Sequence, residues 1–237
     1  MKQLAFIAGA VNFTCVAFVQ PAKAAFIPIP LVTSTYVSST TLVPITAPAC
    51  THTGTSSDPC PSASLVSTMS AGGETLTFSS PDAGNLLIAR AAVPAGWASW
   101  NSPPFVESST PRVLQDEVNP TCAVCTLNIT LSTPAQTFGV EVEPDSFGVF
   151  HTITATFYNG ATIVGSIPVT FATGNSSARL LAATTDTQFT NIQLTIDGTD
   201  FATAQFRFGP ALIPEPNTLC LALAALAVLG LRRFLKL

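Results

Sequence analysis

Charge is the scarcest property of this sequence. Only 9% of its 237 residues are charged, and no lysine lies between Ala25 and Ile213. In that stretch Arg90, Arg112, Arg179 and Arg207 stand against twelve acids, a net charge of about −8. Nucleic-acid binding needs clustered cations, and this composition excludes it. Histidine is almost missing as well, with His52 and His151 alone. His151 opens a strand-like run and reads as a sheet-edge residue. No Gly-x-Ser-x-Gly elbow accompanies the many serines, so a Ser-His-Asp hydrolase lacks its local signature. Amphipathic helical stretches of about twelve residues are absent from the body, which argues against an α or α/β fold.

What the body does have is alternation. Thr75–Phe78, Leu127–Leu131, Ile153–Phe157 and Ile192–Ile196 each alternate apolar with polar residues. Phe138, Val140 and Val142 oppose Thr137, Glu141 and Glu143. Ala202, Ala204, Phe206 and Phe208 oppose Thr203, Gln205 and Arg207. A period of two is the mark of half-buried strands. Asn159-Gly160 between two such runs is a strong hairpin signal. Gly174-Asn175 and Asp197-Gly198 are further turn candidates. Strands recur about every 10–12 residues, which predicts an all-β, antiparallel β-sandwich or jelly-roll-like domain over 74–210.

Before it, residues 25–73 are rich in Pro, Ser and Thr. They read as an extended, partly flexible leader with short strands at Leu31–Thr35 and Ser64–Met69. Residues 1–24 read as a signal peptide. Lys2 supplies the positive start, Leu4–Val19 the apolar stretch, and Ala22-Lys23-Ala24 the small-x-small site that exposes Ala25 on cleavage.

The region 213–237 reads as a short C-terminal apolar helix. Thr218–Leu231 is free of charge and rich in Ala and Leu. At ~1.5 Å per residue this run covers about 21 Å, short of a bilayer core of about 30 Å unless the following residues contribute. Arg232, Arg233 and Lys236 would stay on the cytoplasmic side. Ile213-Pro214-Glu215-Pro216-Asn217-Thr218-Leu219, the apolar run and Arg232-Arg233 together resemble the PEP-CTERM sorting signal of Gram-negative bacteria. Ile213 replaces the usual Val, and Asn217 the usual Ser or Thr. The resemblance covers about a tenth of the chain. It implies recognition by an exosortase that cuts at or near Pro214-Glu215-Pro216. Membrane contact through the helix would then be transient, at the inner membrane, before delivery to the cell surface or extracellular matrix. The body resembles the β-rich domains that often precede such tails. Phe138–Pro144, His151–Phe157, Ala178–Ala183 and Asp200–Phe206 carry that likeness.

Four cysteines remain in the body: Cys50, Cys60, Cys122 and Cys125. They allow three pairings, and short loops close most readily, which favours Cys50–Cys60 and Cys122–Cys125. Cys122-Ala123-Val124-Cys125 runs into a strand, whereas a redox CxxC opens a helix. Trp97 and Trp100 are the candidate glycan-binding rings, with core plugging as the plainer reading. Glu141 and Glu143 share a strand face, as paired glycosidase carboxylates or, more simply, as a solvated polar face. Asp82, Asp197 and Asp200 are candidate oxygen ligands for a loop Ca²⁺, without EF-hand spacing. No cofactor is otherwise expected. The reading that fits best is an exported, non-enzymatic structural or adhesive protein. A carbohydrate-binding module for matrix polysaccharide is the alternative, and a secreted hydrolase fits least.

Overall fold

The computed structural model describes residues 25–50, 62–81, 86–117, 124–145, 150–171, 177–197 and 201–210. The signal peptide with Ala22 and Ala24, the sorting tail with Pro214, Glu215, Pro216, Arg232 and Arg233, and His52, Cys60, Cys122, Asp82, Asp200, Gly174 and Gly198 lie outside them. Strands dominate: β1 (Phe26–Ile29), β2 (Thr41–Val43), β3 (Leu65–Val66), β4 (Thr68–Ala71), β5 (Glu74–Ser79) and β6 (Leu86–Ala92) come first. Then follow β7 (Arg112–Glu117), β8 (Val124–Pro144), β9 (His151–Asn159), β10 (Thr162–Phe171), β11 (Arg179–Asp197) and β12 (Phe201–Gly209). Every ladder among them is antiparallel.

Two strands organise the molecule. β8 has 21 residues and β11 has 19, and they pair along most of their length. Their register breaks between Thr184 and Asn191, and the outer partners change there. Beyond the break, the C-terminal half of β11 carries β9 and then β10, while the N-terminal half of β8 carries β5 and then β4. Before it, β11 carries β1, and β8 carries β12, β7, β6 and β3 in turn. Bulged strands that change sheets make the corners of a sandwich. Side chains of both halves meet in one core, with Leu127, Ile129, Ile192 and Phe157 from the first layer and Phe138, Val140, Leu181 and Phe206 from the second. Phe26, Phe157 and Phe189 pack edge-on or tilted at the corner.

The β9–β10 hairpin forms where Asn159-Gly160 predicts it. Thr162 pairs with Asn159, and Gly160 takes φ +58°, a backbone setting that suits glycine. Elsewhere the expected boundaries shift. The leader of 25–73 is not a separate arm in its described part. β1 joins β11, β2 joins β12, and β4 pairs with β5 across Gly72-Gly73, so residue 73 falls inside a hairpin. The strand expected at Leu31–Thr35 is replaced by a short helix, α1 (Ser34–Ser39). Thr33 caps it by accepting the Tyr36 N–H at 3.1 Å, and Tyr36 is driven into the protein.

The uniform alternation expected in β12 also fails. Ala202 and Ala204 pack on the outer side of the second layer, whereas Phe206 faces the main core. A bulge lies between, with Gln205 at φ 51°. One extra residue reverses every side chain beyond it. Arg207 is thereby turned to the outer side.

Candidate functional site

That outer side is where the singled-out tryptophans and glutamates meet. Along β8, Val140 and Val142 point into the main core, so Glu141 and Glu143 must point away from it. The expectation of a solvated polar face does not hold, because the connection between β6 and β7 lies across these carboxylates. Its Val93, Trp100 and Val106 pack with Val113, Ala178, Ala202 and Ala204, and Trp97 adds a partly buried edge. Glu141 is left 1% exposed and Glu143 2%.

Each carboxylate is held by an indole. Trp100 Nε1–H donates to Glu141 Oε2 at 3.0 Å, and Trp97 Nε1–H donates to Glu143 Oε2 at 2.9 Å. The backbone N–H of Glu107 donates to Glu141 Oε1, and that of Ser177 to Glu143 Oε1 at 2.8 Å. Glu107 in turn forms a two-pronged pair with Arg207, Nε to Oε2 and Nη2 to Oε1, both 2.7 Å. Arg207 Nη1 reaches further, to the carbonyls of Val37 at 3.2 Å and Thr40 at 3.0 Å. The cluster therefore ties the crossing segment and α1 to the same sheet face.

Burial sets the electrostatics. It pushes the Glu141 carboxyl up to about 7, against the opposing pull of the Trp100 and Glu107 N–H donors and of Arg207. Glu143 is raised by burial too, opposed by the Ser177 N–H and the Trp97 indole. The Tyr36 hydroxyl, wholly buried nearby, is raised by the same cause. Arg207 is raised by its hydrogen bonds to Glu107. A carboxyl that titrates near neutrality can exchange a proton. Closure under Trp100 keeps it from a polymeric substrate, and a glycosidase needs its two acids flanking a bond in an open cleft.

The paired tryptophans therefore do not make an exposed sugar platform. Trp100 is 4% exposed and serves as a plug, though of this second, outer core and not of the sandwich interior. Glu107, Arg207 and Tyr36 complete the cluster without any motif in the sequence. Their one trace is the set of small residues on this side: Ala178 just before β11, Ala182 in β11, and Ala202 and Ala204 in β12. Alanines on a sheet face leave room for bulky rings above them.

The remaining candidates disperse. His151 Nδ1 lies 3.1 Å from Asp197 Oδ1 and 3.0 Å from its carbonyl oxygen, and Asp197 Oδ1 also accepts the Thr152 N–H. Asp197 thus fastens the start of β9 to the end of β11. Among the described residues no three His, Cys, Asp or Glu side chains gather as a metal site. Cys50 and Cys125 are each disulfide-bonded and buried. Cys125 sits in β8 opposite Ile196, a strand and not a helix start. Among the described residues no helix is long and apolar enough to cross a membrane.

Two other features could meet a partner. A pocket of about 230 Å³ opens at one end of the main core, walled by Phe78, Leu87 and Leu127 with Ser79 and the buried Asp116. The outward face of the first layer is broader. There most residues between the core-facing positions of β5, β8, β9 and β11 carry hydroxyls or amides, half-buried or exposed, with Val124 and Asp197 at one margin.

No family model matches the chain, and no curated protein matches it. Solved structures similar to it include the Stig cyclase Fisc from Fischerella sp. TAU, at 13% identity and TM-score 0.41, covering 72% of this chain and 97% of that one. Another is TmCBM61 in complex with beta-1,4-galactotriose, at 12% identity and TM-score 0.33, covering 56% and 86%. A mutant of CBM29-2, from a family of carbohydrate-binding modules, is similar at 8% identity and TM-score 0.27, covering 61% and 99%. Likeness at this level transfers neither ligand nor activity. The chain stands as a mostly β, sandwich-like domain whose marked acids and tryptophans are interlocked.

Proposed function

We propose that this chain is an exported, non-catalytic structural or adhesive protein of the cell surface or extracellular matrix, delivered by an exosortase. One observation carries the non-catalytic part. Glu141 and Glu143, the strand-paired acids a hydrolase would use, are spent as buried acceptors for Trp100 and Trp97. The delivery part rests on Ile213-Pro214-Glu215-Pro216, the apolar run and Arg232-Arg233. Disulfide-bonded Cys50 and Cys125 suit an oxidising compartment. A glycan site built on Trp97 and Trp100 does not fit, since one ring is enclosed and both indole N–H groups are engaged.

Mass spectrometry of the delivered protein tests the sorting. The expected product begins at Ala25 and lacks Arg232, Arg233 and Lys236. An intact C-terminus on surface-delivered protein, or unchanged delivery after Glu215→Ala with Pro214→Ala, would reject it.

A further inference from the structure

We infer that the outward face of the first layer is a binding face for an uncharged polysaccharide chain. The ladder pairings set its rows. Ser79 lies opposite Asn128, Asn128 opposite Gln193, Gln193 opposite Thr156, and Thr156 opposite Ser166. Thr77, Thr130, Asn191 and Tyr158 form the row on one side, and Thr126, Thr195 and Thr154 the row on the other. Strands lie about 4.8 Å apart, so the central row crosses roughly 20 Å of surface.

Its chemistry selects the partner. These three rows hold no carboxylate, ammonium or guanidinium group; the one carboxylate at their margin, Asp197, is engaged by His151 and the Thr152 N–H. Nucleic acid, anionic lipid and acidic polysaccharide each need cations that the face lacks. An apolar partner needs a contiguous apolar patch. Here the exposed Val124 and Ile163 stand at opposite corners of the face, one opposite Asp197 and the other opposite Tyr158, while Leu127, Ile129, Ile153, Ile192 and Leu194 point into the core. What the face offers is a grid of hydroxyls and amides that both donate and accept, with the half-buried Tyr158 ring beside them. A neutral chain of sugar hydroxyls is the complementary polymer.

The grid is also partly fixed in advance. Gln193 Nε2 donates to Asn128 Oδ1 at 3.0 Å, and Tyr158 Oη donates to Gln193 Oε1 at 3.4 Å. These contacts orient both amides, which lowers the entropy lost on binding. The Asn128 NH₂ makes no side-chain hydrogen bond among the described residues, so it remains to donate. On the second layer the corresponding face is closed by the β6–β7 connection and α1, which leaves the first layer's face as the open one among the described residues.

The inference deepens the matrix reading and rests on it only for where the glycan is met. The test is affinity electrophoresis of the full chain through gels containing a neutral mannan, galactan or β-glucan, or the anionic alginate. Retardation by at least one neutral polymer is expected, insensitive to added salt, and not by alginate. Asn128→Ala with Gln193→Ala should weaken it by at least about tenfold. Thr156→Glu, which leaves the amide contacts intact and adds a charge, should weaken it similarly, with circular dichroism and the thermal midpoint confirming the fold of both variants. Retardation by none of the neutral polymers, by alginate alone, or equally in wild type and both folded variants would overturn it. So would sedimentation showing that the same substitutions abolish self-association, which would assign the face to a second copy. Failed tail processing with intact glycan retention would remove the sorting claim alone.

Discussion

Trp100 and Glu141 form a closed pair: the indole N–H meets the carboxylate at 3.0 Å, and both side chains are buried. The strand alternation that sends Val140 and Val142 inward leaves Glu141 on the far side. A connection of small residues and prolines then brings the indole over it. The pair joins a long-range crossing to the central strand, and it fixes the second layer as a sheet covered on both faces.

Removal of both partners should therefore cost less than the two single removals added together. Trp100→Phe keeps an aromatic plug but strips a donor from a buried carboxylate, and Glu141→Gln places an amide NH₂ against an N–H donor. Each single change is expected to destabilise by about 1–3 kcal/mol, since an orphaned buried polar group bears its full desolvation cost. With both changes, the carbonyl of the new side-chain amide can serve the Glu107 N–H alone. A double-mutant cycle by urea denaturation should then give a loss clearly smaller than the sum. Strict additivity would mean that the two side chains are not coupled.

The same pair predicts an unusual pH response. Glu141 is raised in the folded state to about 7 from its ordinary value of 4.5, by burial first. Its proton is thus held more tightly in the folded chain than in the unfolded one. Stability from the protonated form is fully present below the unfolded value and is lost as pH rises through about 7. Glu143 is shifted in the same direction. Each tenfold difference in proton affinity is worth about 1.4 kcal/mol, so the effect is on the order of 3 kcal/mol for Glu141. The denaturation midpoint should fall between mildly acidic and mildly alkaline buffer. In the protein carrying both Trp100→Phe and Glu141→Gln that slope should shrink. An equal slope in both proteins would locate the titration elsewhere.

Much of the sandwich is legible because the first layer obeys the simple rule. Leu127, Ile129, Ile192 and Leu194 face a core, Asn128 and Gln193 face solvent, and Gly160 marks a hairpin. The second layer hides its organisation because both its faces are covered. There Glu141 looks like solvent-facing polarity in sequence but is a buried acceptor. Gln205 is an ordinary letter in an alternating run, yet it forms the bulge that turns Arg207 outward. The cluster of Tyr36, Glu107, Glu141 and Arg207 spans residues far apart in the chain, and no local spacing encodes such a meeting. The leader escapes a local reading for a related reason. Prolines argue against helix but do not forbid the short edge strands β1 and β2, each held by a partner strand more than a hundred residues away.

Tyr36 offers a test of close packing. Its hydroxyl is buried without a hydrogen-bond partner among the described residues, and a methyl group built on Gly139 would sit 2.2 Å from it. Tyr36→Phe should leave stability unchanged or raise it by about 1 kcal/mol, because an unsatisfied buried hydroxyl is removed. Gly139→Ala should destabilise by about 1–3 kcal/mol through overpacking. Combined, the two changes should recover part of that loss, read as thermal midpoints. A large loss from Tyr36→Phe alone would show that the hydroxyl has a partner after all.

The Arg207–Glu107 pair makes the strongest single demand on the fold. Its side chains are 7% and 23% exposed, and Arg207 also holds the α1 carbonyls of Val37 and Thr40. Arg207→Met keeps the aliphatic stem and deletes the charge, leaving Glu107 unpaired close to Glu141. Breaking a buried pair from one side costs about 3–5 kcal/mol, and the partial exposure of Glu107 places this case near the lower limit. Glu107→Gln should cost less, since an amide still accepts from the guanidinium while the repulsion felt by Glu141 disappears. The Arg207→Met protein should become cleavable first within 93–110 and around α1, because the guanidinium is the side chain that joins Glu107 of the first to the Val37 and Thr40 carbonyls of the second. Limited proteolysis with mass mapping reads that order. Equal stability of Arg207→Met and wild type, or first cleavage in the β9–β10 hairpin, would show that the cluster does not hold the cover in place.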